Sequence, residues 1–170
     1  MWLAENFRLN VGYESNFYEM NYAYEEEFGR LYTWEAAQKA CPKGWHLPTD
    51  DEWWNMISEY GKVYNTKLGK PTNQVHEQDQ AALAALAGKG SPSGFDALMG
   101  GGVMGDTFFN IFELGLFWGS TVKDGRALGL NIIDIGDDNA WGYNFSLIDG
   151  RIIRNPNSKL VGRSVRYVKD

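Results

Sequence analysis

The run Cys41-Pro42-Lys43-Gly44-Trp45-His46-Leu47-Pro48-Thr49-Asp50-Asp51-Glu52-Trp53 stops one helix, turns, and starts another. Pro42 lacks an N–H and Gly44 accepts left-handed backbone, so a helix arriving at Cys41 ends there. Thr49-Asp50-Asp51-Glu52 is an S/T-x-x-E capping box, in which a hydroxyl and a carboxylate each satisfy a free backbone N–H at a helix start. The helix that follows should bury Trp53, Met56, Ile57 and Tyr60, spaced i, i+3, i+4 and i+7, as one apolar stripe, with Gly61 as a left-handed cap. That stripe reads as core, not as a ligand groove. Upstream, Thr33 can cap the arriving helix, along which Trp34, Ala37 and Cys41 fall at i, i+3 and i+7.

Working outward, residues 1–32 read as short extended pieces around a tyrosine-rich insertion, whose Glu25-Glu26-Glu27 is a solvated loop. A third helical stretch is expected around residues 75–87, rich in Ala and closed by Gly88. From Gly88 to Gly105 the chain turns Gly-rich and reads as a loop. It carries neither G-x-x-x-x-G-K-[ST] nor G-x-G-x-x-G after a strand, which excludes a phosphate cradle. Residues 116–121, 127–133, 140–145, 150–153 and 164–168 then look like short strands separated by turn residues. Helices followed by a run of strands imply an α+β fold with two main helices and a C-terminal antiparallel sheet.

A chain of 170 residues fits one domain, 1–170, with 1–122 as scaffold and 123–170 as a β-rich ligand-binding region. The net charge of −6 argues against nucleic-acid binding, which needs an excess of Lys and Arg on some face. Residues 1–122 hold 8 basic and 16 acidic side chains, whereas residues 123–170 hold 8 and 6, so the last third suits a different kind of partner. Cys41 is the only cysteine, which rules out a disulfide within the chain. The opening residues show no basic segment followed by an apolar run, and no stretch of roughly 18 apolar residues occurs, so no membrane insertion is expected. His46 invites a catalytic or metal role, but only His76 accompanies it and no Cys or His cluster completes a zinc site. A structural, hydrogen-bonded His46 is the better reading. Asp134, Asp137, Asp138 and Asn139 offer oxygen ligands for calcium, yet they lack the EF-hand register and read as an acidic turn. No metal, cofactor or catalytic residue is expected.

The blocks Trp2-Leu3-Ala4-Glu5-Asn6-Phe7, Gly29-Arg30-Leu31-Tyr32-Thr33-Trp34, the run from Cys41 to Trp53, Gly94-Phe95-Asp96-Ala97-Leu98, Phe117-Trp118-Gly119-Ser120-Thr121 and Ser164-Val165-Arg166-Tyr167-Val168-Lys169-Asp170 resemble, in order, the Fibrobacter succinogenes major paralogous domain. The resemblance implies a C-type-lectin-like fold of the formylglycine-generating-enzyme type. Trp45, Trp53 and Trp118 make sense there as core. The formylglycine-generating relatives are oxidases that rely on a cysteine pair; one cysteine remains here, so the resemblance implies no enzyme. Calcium-dependent lectin motifs resembling Glu-Pro-Asn and Trp-Asn-Asp are also absent. The family often has a cysteine where Tyr167 stands, which leaves Cys41 without that partner.

A second resemblance is confined to the end. Asn139-Ala140-Trp141-Gly142-Tyr143-Asn144-Phe145, Asp149-Gly150, Asn155-Pro156-Asn157 and Arg163-Ser164-Val165-Arg166 look like the variable region of proteins diversified by diversity-generating retroelements. It implies recognition of a changing partner, a protein or surface receptor, from a virion surface or an extracellular cell surface. Strand alternation fits: Trp141, Tyr143 and Phe145 would enter the core together while Gly142, Asn144 and Ser146 point outward. Asp149-Gly150 is a hairpin-tip signal. The apolar Leu147, Ile148 and Ile153 beside it are either core or anchors of a binding patch, rimmed by Arg154, Asn155, Asn157 and Leu160, with Arg151 and Arg154 making it positive. The alternative implied is a structural or adhesive surface module without diversification.

Overall fold

Local capping chemistry sets where the helices begin. In the computed structural model, which describes residues 1–65, 77–122 and 138–170, there are four α-helices: α1 (Tyr22–Phe28), α2 (Trp34–Lys39), α3 (Asp50–Ser58) and α4 (Glu77–Leu86). Thr33 accepts from the Ala36 N–H at the start of α2. At α3 the capping box is complete, with Glu52 N donating to Thr49 Oγ1 at 3.2 Å and Thr49 N donating to Glu52 Oε2 at 2.9 Å. The loop expected at Glu25-Glu26-Glu27 is instead α1. Asn21 caps it through the Ala23 N–H, and Phe28 buries its far end while Glu26 and Glu27 stay in solvent. The stripe of α3 is narrower than its spacing suggests: Trp53 and Ile57 are fully buried, but Tyr60 is exposed. Gly61 is not a left-handed cap either. A Cβ there would collide with Gln78 O and lie 2.8 Å from Ala82 N, so the glycine lets α4 pass close to the end of α3. Gly88, at φ 82°, follows α4 as expected.

Ten strands form among the described residues: β1 (Ser15–Asn16), β2 (Leu31–Tyr32), β3 (Trp45–His46), β4 (Val63–Asn65), β5 (Gly100–Met104), β6 (Thr107–Ile111), β7 (Leu114–Val122), β8 (Asn139–Ser146), β9 (Arg151–Ser158) and β10 (Val168–Lys169). The main sheet runs β4-β9-β8-β7-β5-β6. It is mixed where an antiparallel sheet was expected, because β4 pairs with β9 and β5 with β7 in parallel. The fold is α+β. Its β5 occupies the Gly-rich stretch read as loop, and the glycines there serve close approach. A Cβ on Gly102 would lie 2.7 Å from the Phe109 ring and 2.9 Å from Leu116, so only a residue without one fits between these neighbours. Of the strands expected from sequence, 164–168 is reduced to β10 and an isolated bridge from Ser164 to Phe117. Residues 127–133 lie outside the described residues.

Strands β7 to β9 separate two ring-filled clusters. On one side Trp53 stacks on Tyr143 with centroids 4.9 Å apart, and Phe95, Phe117 and Phe145 surround the pair. On the other, Trp118 packs with Tyr32, Leu47, Val165 and Tyr167. Trp45 is only half-buried, so the core expectation holds for Trp53 and Trp118 but weakly for it. On the outer edge of β9, β4 pairs with Ile152–Arg154; at 155–158, where Pro156 stands, β8 is the one strand among the described residues that pairs with β9.

Candidate functional site

Strands β8 and β9 pair in unbroken register from Asn139 opposite Ser158 to Ser146 opposite Arg151. The tip expected at Asp149-Gly150 is present. Gly150 has φ 65°, and Ser146 Oγ donates to Asp149 Oδ2 at 2.6 Å while accepting from Asp149 N at 3.0 Å. Because side chains alternate and cross-strand partners share a face, Trp141, Tyr143 and Phe145 lie with Pro156, Arg154 and Ile152. Tyr143, Phe145 and Ile152 are sealed beneath α3 and α4. At the rim of this face Arg154 grips Asp50 with two prongs, Nε to Oδ1 at 3.0 Å and Nη2 to Oδ2 at 2.5 Å. Its guanidinium lies 3.5 Å over the Trp141 ring, and the Tyr143 hydroxyl donates to Asp50 Oδ1 at 2.9 Å. Burial works against the Arg154 charge, but the Asp50 hydrogen bond and charge outweigh it and hold its pKa above the usual value. Burial first, then the same carboxylate, pushes the Tyr143 phenol up.

The opposite face centres on Arg163, a residue only 2% exposed. Its Nη2 donates to Asn144 Oδ1 at 2.8 Å and to Asn157 Oδ1 at 2.9 Å, and Nη1 donates to Phe117 O at 3.3 Å. The guanidinium sits 5.0 Å from the Trp118 ring centroid, and its Nε has no hydrogen-bond partner among the described residues. Among the described residues no carboxylate pairs with it, and burial pushes its pKa down to about 9. Gly142 makes room for this group: a Cβ there would strike Nη1 and lie 3.0 Å from Phe117 O.

These contacts revise the expected patch. The alternation was read correctly, though Trp141 stays half-buried under Arg154 and only Tyr143 and Phe145 enter the core; both faces are covered, because residues 163–165 return beneath β7, with Ser164 N donating to Leu116 O at 2.9 Å. Gly142, Ser146 and Ile153 are therefore buried, not outward-facing, and hold the frame. Asn144, Asn155 and Asn157 are half-buried. Leu147 and Ile148 are 53% and 63% exposed at the tip, where Leu147 N donates to Glu113 O at 3.0 Å beside the exposed Phe112. Leu160 is exposed too, but past the other end of strands eight residues long. At roughly 3.3 Å per residue that is a separation of about 26 Å, so Leu160 is not part of the tip patch. The positive rim is also absent: Arg151 is buried and Arg154 is neutralised by Asp50.

His46 is held between carboxylates, Nδ1 to Asp170 Oδ1 and Nε2 to Glu52 Oε1, both at 2.8 Å. The Asp170 hydrogen bond leads in raising its pKa. Cys41 Sγ donates to Trp45 O at 3.0 Å, and burial pushes its thiol up. Tyr167 fills the place where the resemblance implied a second cysteine, its hydroxyl donating to Ala37 O at 2.6 Å. Asp134 and Asp137 lie outside the described residues, and among those described no group of His, Cys, Asp and Glu is placed to hold a metal. No described helix is long and apolar enough to cross a membrane.

Sequence reasoning missed Arg163 and Asp50 as parts of this element. The first carries a readable signal, a charge inside the otherwise small and apolar Val161-Gly162-Arg163-Ser164-Val165. The second does not, since its capping position says nothing of Arg154, which lies 104 residues away. The family model described as Fibrobacter succinogenes major domain matches residues 1–169. No curated protein and no solved structure matches the chain.

Proposed function

We propose that this chain, which belongs to the Fibrobacter succinogenes major domain family, is a non-enzymatic recognition domain that meets a protein partner through its β8–β9 hairpin. One observation carries the reading: the hairpin is fixed on both faces, yet its tip leaves Leu147 and Ile148 in solvent beside Phe112. Isolated exposed apolar residues are ordinary, but two adjacent ones on a rigid tip, tied by Leu147 N to Glu113 O in the β6–β7 turn that exposes Phe112, suit the anchors of a contact patch. The C-type-lectin-like fold implied by the sequence blocks agrees with an α+β frame carrying its variable part on late strands. On that reading the chain is the variable protein of a diversity-generating retroelement, borne on a virion or cell surface. A surface module without diversification is the second reading, favoured by the family match alone.

Two measurements test this. In a binding screen against host cell-surface proteins, the double variant Leu147→Ser/Ile148→Ser should lose at least about tenfold in affinity while keeping stability within about 0.5 kcal/mol. Unchanged binding would remove the tip from the site. In the encoding genome, a near-identical copy of the segment for residues 140–166, differing chiefly at adenines and lying beside a reverse transcriptase gene, would support diversification. The differences should fall on codons for accessible positions such as Asn144, Leu147 and Asn155, and spare Gly142 and Arg163. Absence of the copy would favour the undiversified module.

A further inference from the structure

An arginine only donates hydrogen bonds, so its contacts fix which end of each neighbouring amide faces it. Arg163 Nη2 holds Oδ1 of both Asn144 and Asn157. The Asn144 Nδ2 group is thereby turned away from the guanidinium, and among the described residues it meets no acceptor. Asn157 Nδ2 in turn donates to Asn155 O at 2.8 Å and Asn155 Oδ1 at 3.3 Å. This turns the Asn155 carboxamide so that its own Nδ2 also points away from the cluster. Both amide dipoles carry their positive ends outward from a buried cation.

The two arginines compare sharply. Arg154, half-buried, is neutralised within the chain by Asp50, whereas Arg163, fully buried, has amides, a carbonyl and a ring as its only described partners and an Nε with none. A buried charge without a counter-ion is costly, and an anion placed over the outward amides would offset that cost at short range.

We propose that the Asn144–Asn155 surface of the hairpin binds a carboxylate from an acidic segment of a protein partner, with Asn144 Nδ2 and Asn155 Nδ2 as contacts and Arg163 as the positioning residue beneath. This rests on the hairpin being the recognition element. A peptide is favoured over an acidic sugar because the same hairpin exposes Leu147 and Ile148, which suit apolar side chains near the acidic one.

The test is a titration of the isotopically labelled full chain with N-acetyl-aspartate amide, following the side-chain amide signals of Asn144 and Asn155 by nuclear magnetic resonance. N-acetyl-asparagine amide and glucuronate serve as comparisons. Saturable shifts with the aspartate compound, and weaker ones with the other two, are expected. Asn144→Asp supplies Arg163 with a counter-ion, so it should weaken aspartate binding at least about tenfold while leaving the melting temperature equal or higher. Asn155→Ala should weaken binding with the fold intact. Unmoved amide signals, equal binding of the asparagine compound, undiminished binding by Asn144→Asp, or tighter binding of glucuronate would each overturn the proposal. Failure of the underlying reading looks different: the Leu147→Ser/Ile148→Ser variant would then bind host proteins normally, a result the aspartate titration does not influence.

Discussion

The two faces of the β8–β9 hairpin are both largely covered but are covered by different means. On one, Trp53, Tyr143 and Phe145 interlock as rings; on the other, a cation is caged by amides, a carbonyl and the space left by Gly142. The ring face gains stability in proportion to apolar area and is intolerant of lost volume. The cation face gains little net stability, because desolvating a charge costs about as much as its contacts return. What it does supply is orientation, since it fixes which atoms of Asn144 and Asn157 face outward. The recognition role proposed for this hairpin calls for both properties, and they come from opposite sides of the same strands.

Substitutions can break or sharpen that contrast. Trp53→Ala should cost about 3–5 kcal/mol in denaturant unfolding, because the ring leaves a cavity under Tyr143 and Phe145. Gly142→Ala should cost about 1–3 kcal/mol through overpacking, with the Arg163 contacts to Asn144 and Asn157 lost. Wild-type stability in that variant would mean that the guanidinium can leave its cage, and the two faces would no longer differ as described. Asp50→Ala strips the carboxylate from half-buried Arg154 and should cost about 1–3 kcal/mol, less than the loss of the Trp53 ring and comparable to Gly142→Ala.

The smallest effect is one of pH. His46 has its folded pKa raised above 6.5 by Asp170, with Glu52 adding to this. The sign follows: its contribution is fully present below pH 6.5 and is lost as pH rises through the folded value. Glu52, held below its ordinary value by Thr49 and His46 against the opposing effect of burial, loses its contribution as pH falls. Melting temperatures measured between pH 6 and 8.5 should therefore decline slightly, and His46→Gln should flatten that slope. An unchanged slope in the variant would assign the pH dependence elsewhere.

Much of this frame was legible in the sequence where the signal is local. Thr33, Thr49 and Glu52 announce two helix starts because caps act within one turn, and Asp149-Gly150 announces the tip because a turn is set by its own residues. The alternation of Trp141, Tyr143 and Phe145 was legible for the same reason. That the other side of β8 is also covered was not, since its cover comes from residues 163–165, far along the chain. Gly100-Gly101-Gly102 misled because the same residue serves loose turns and the tightest strand contacts. Glu25-Glu26-Glu27 misled because acidic side chains suit a solvated helix face as well as a loop, and Asn21, the cap that decides between them, was passed over. Of the candidate site, the exposure of Leu147 and Ile148 was not decided by the sequence, which left them as either core or anchors because a turn signal fixes the reversal and not what packs over it. The grouping of Leu160 with them failed because proximity in sequence ignores the length of the intervening strands.

Pro156 bears on how the molecule behaves in company. At residues 155–158, where among the described residues only β8 pairs with β9, it removes one amide donor from the outer edge, so a strand from a second copy laid along that edge would find an interrupted ladder. Replacing it with threonine would restore a continuous row and invite edge-to-edge aggregation, which makes this proline a guard on solubility.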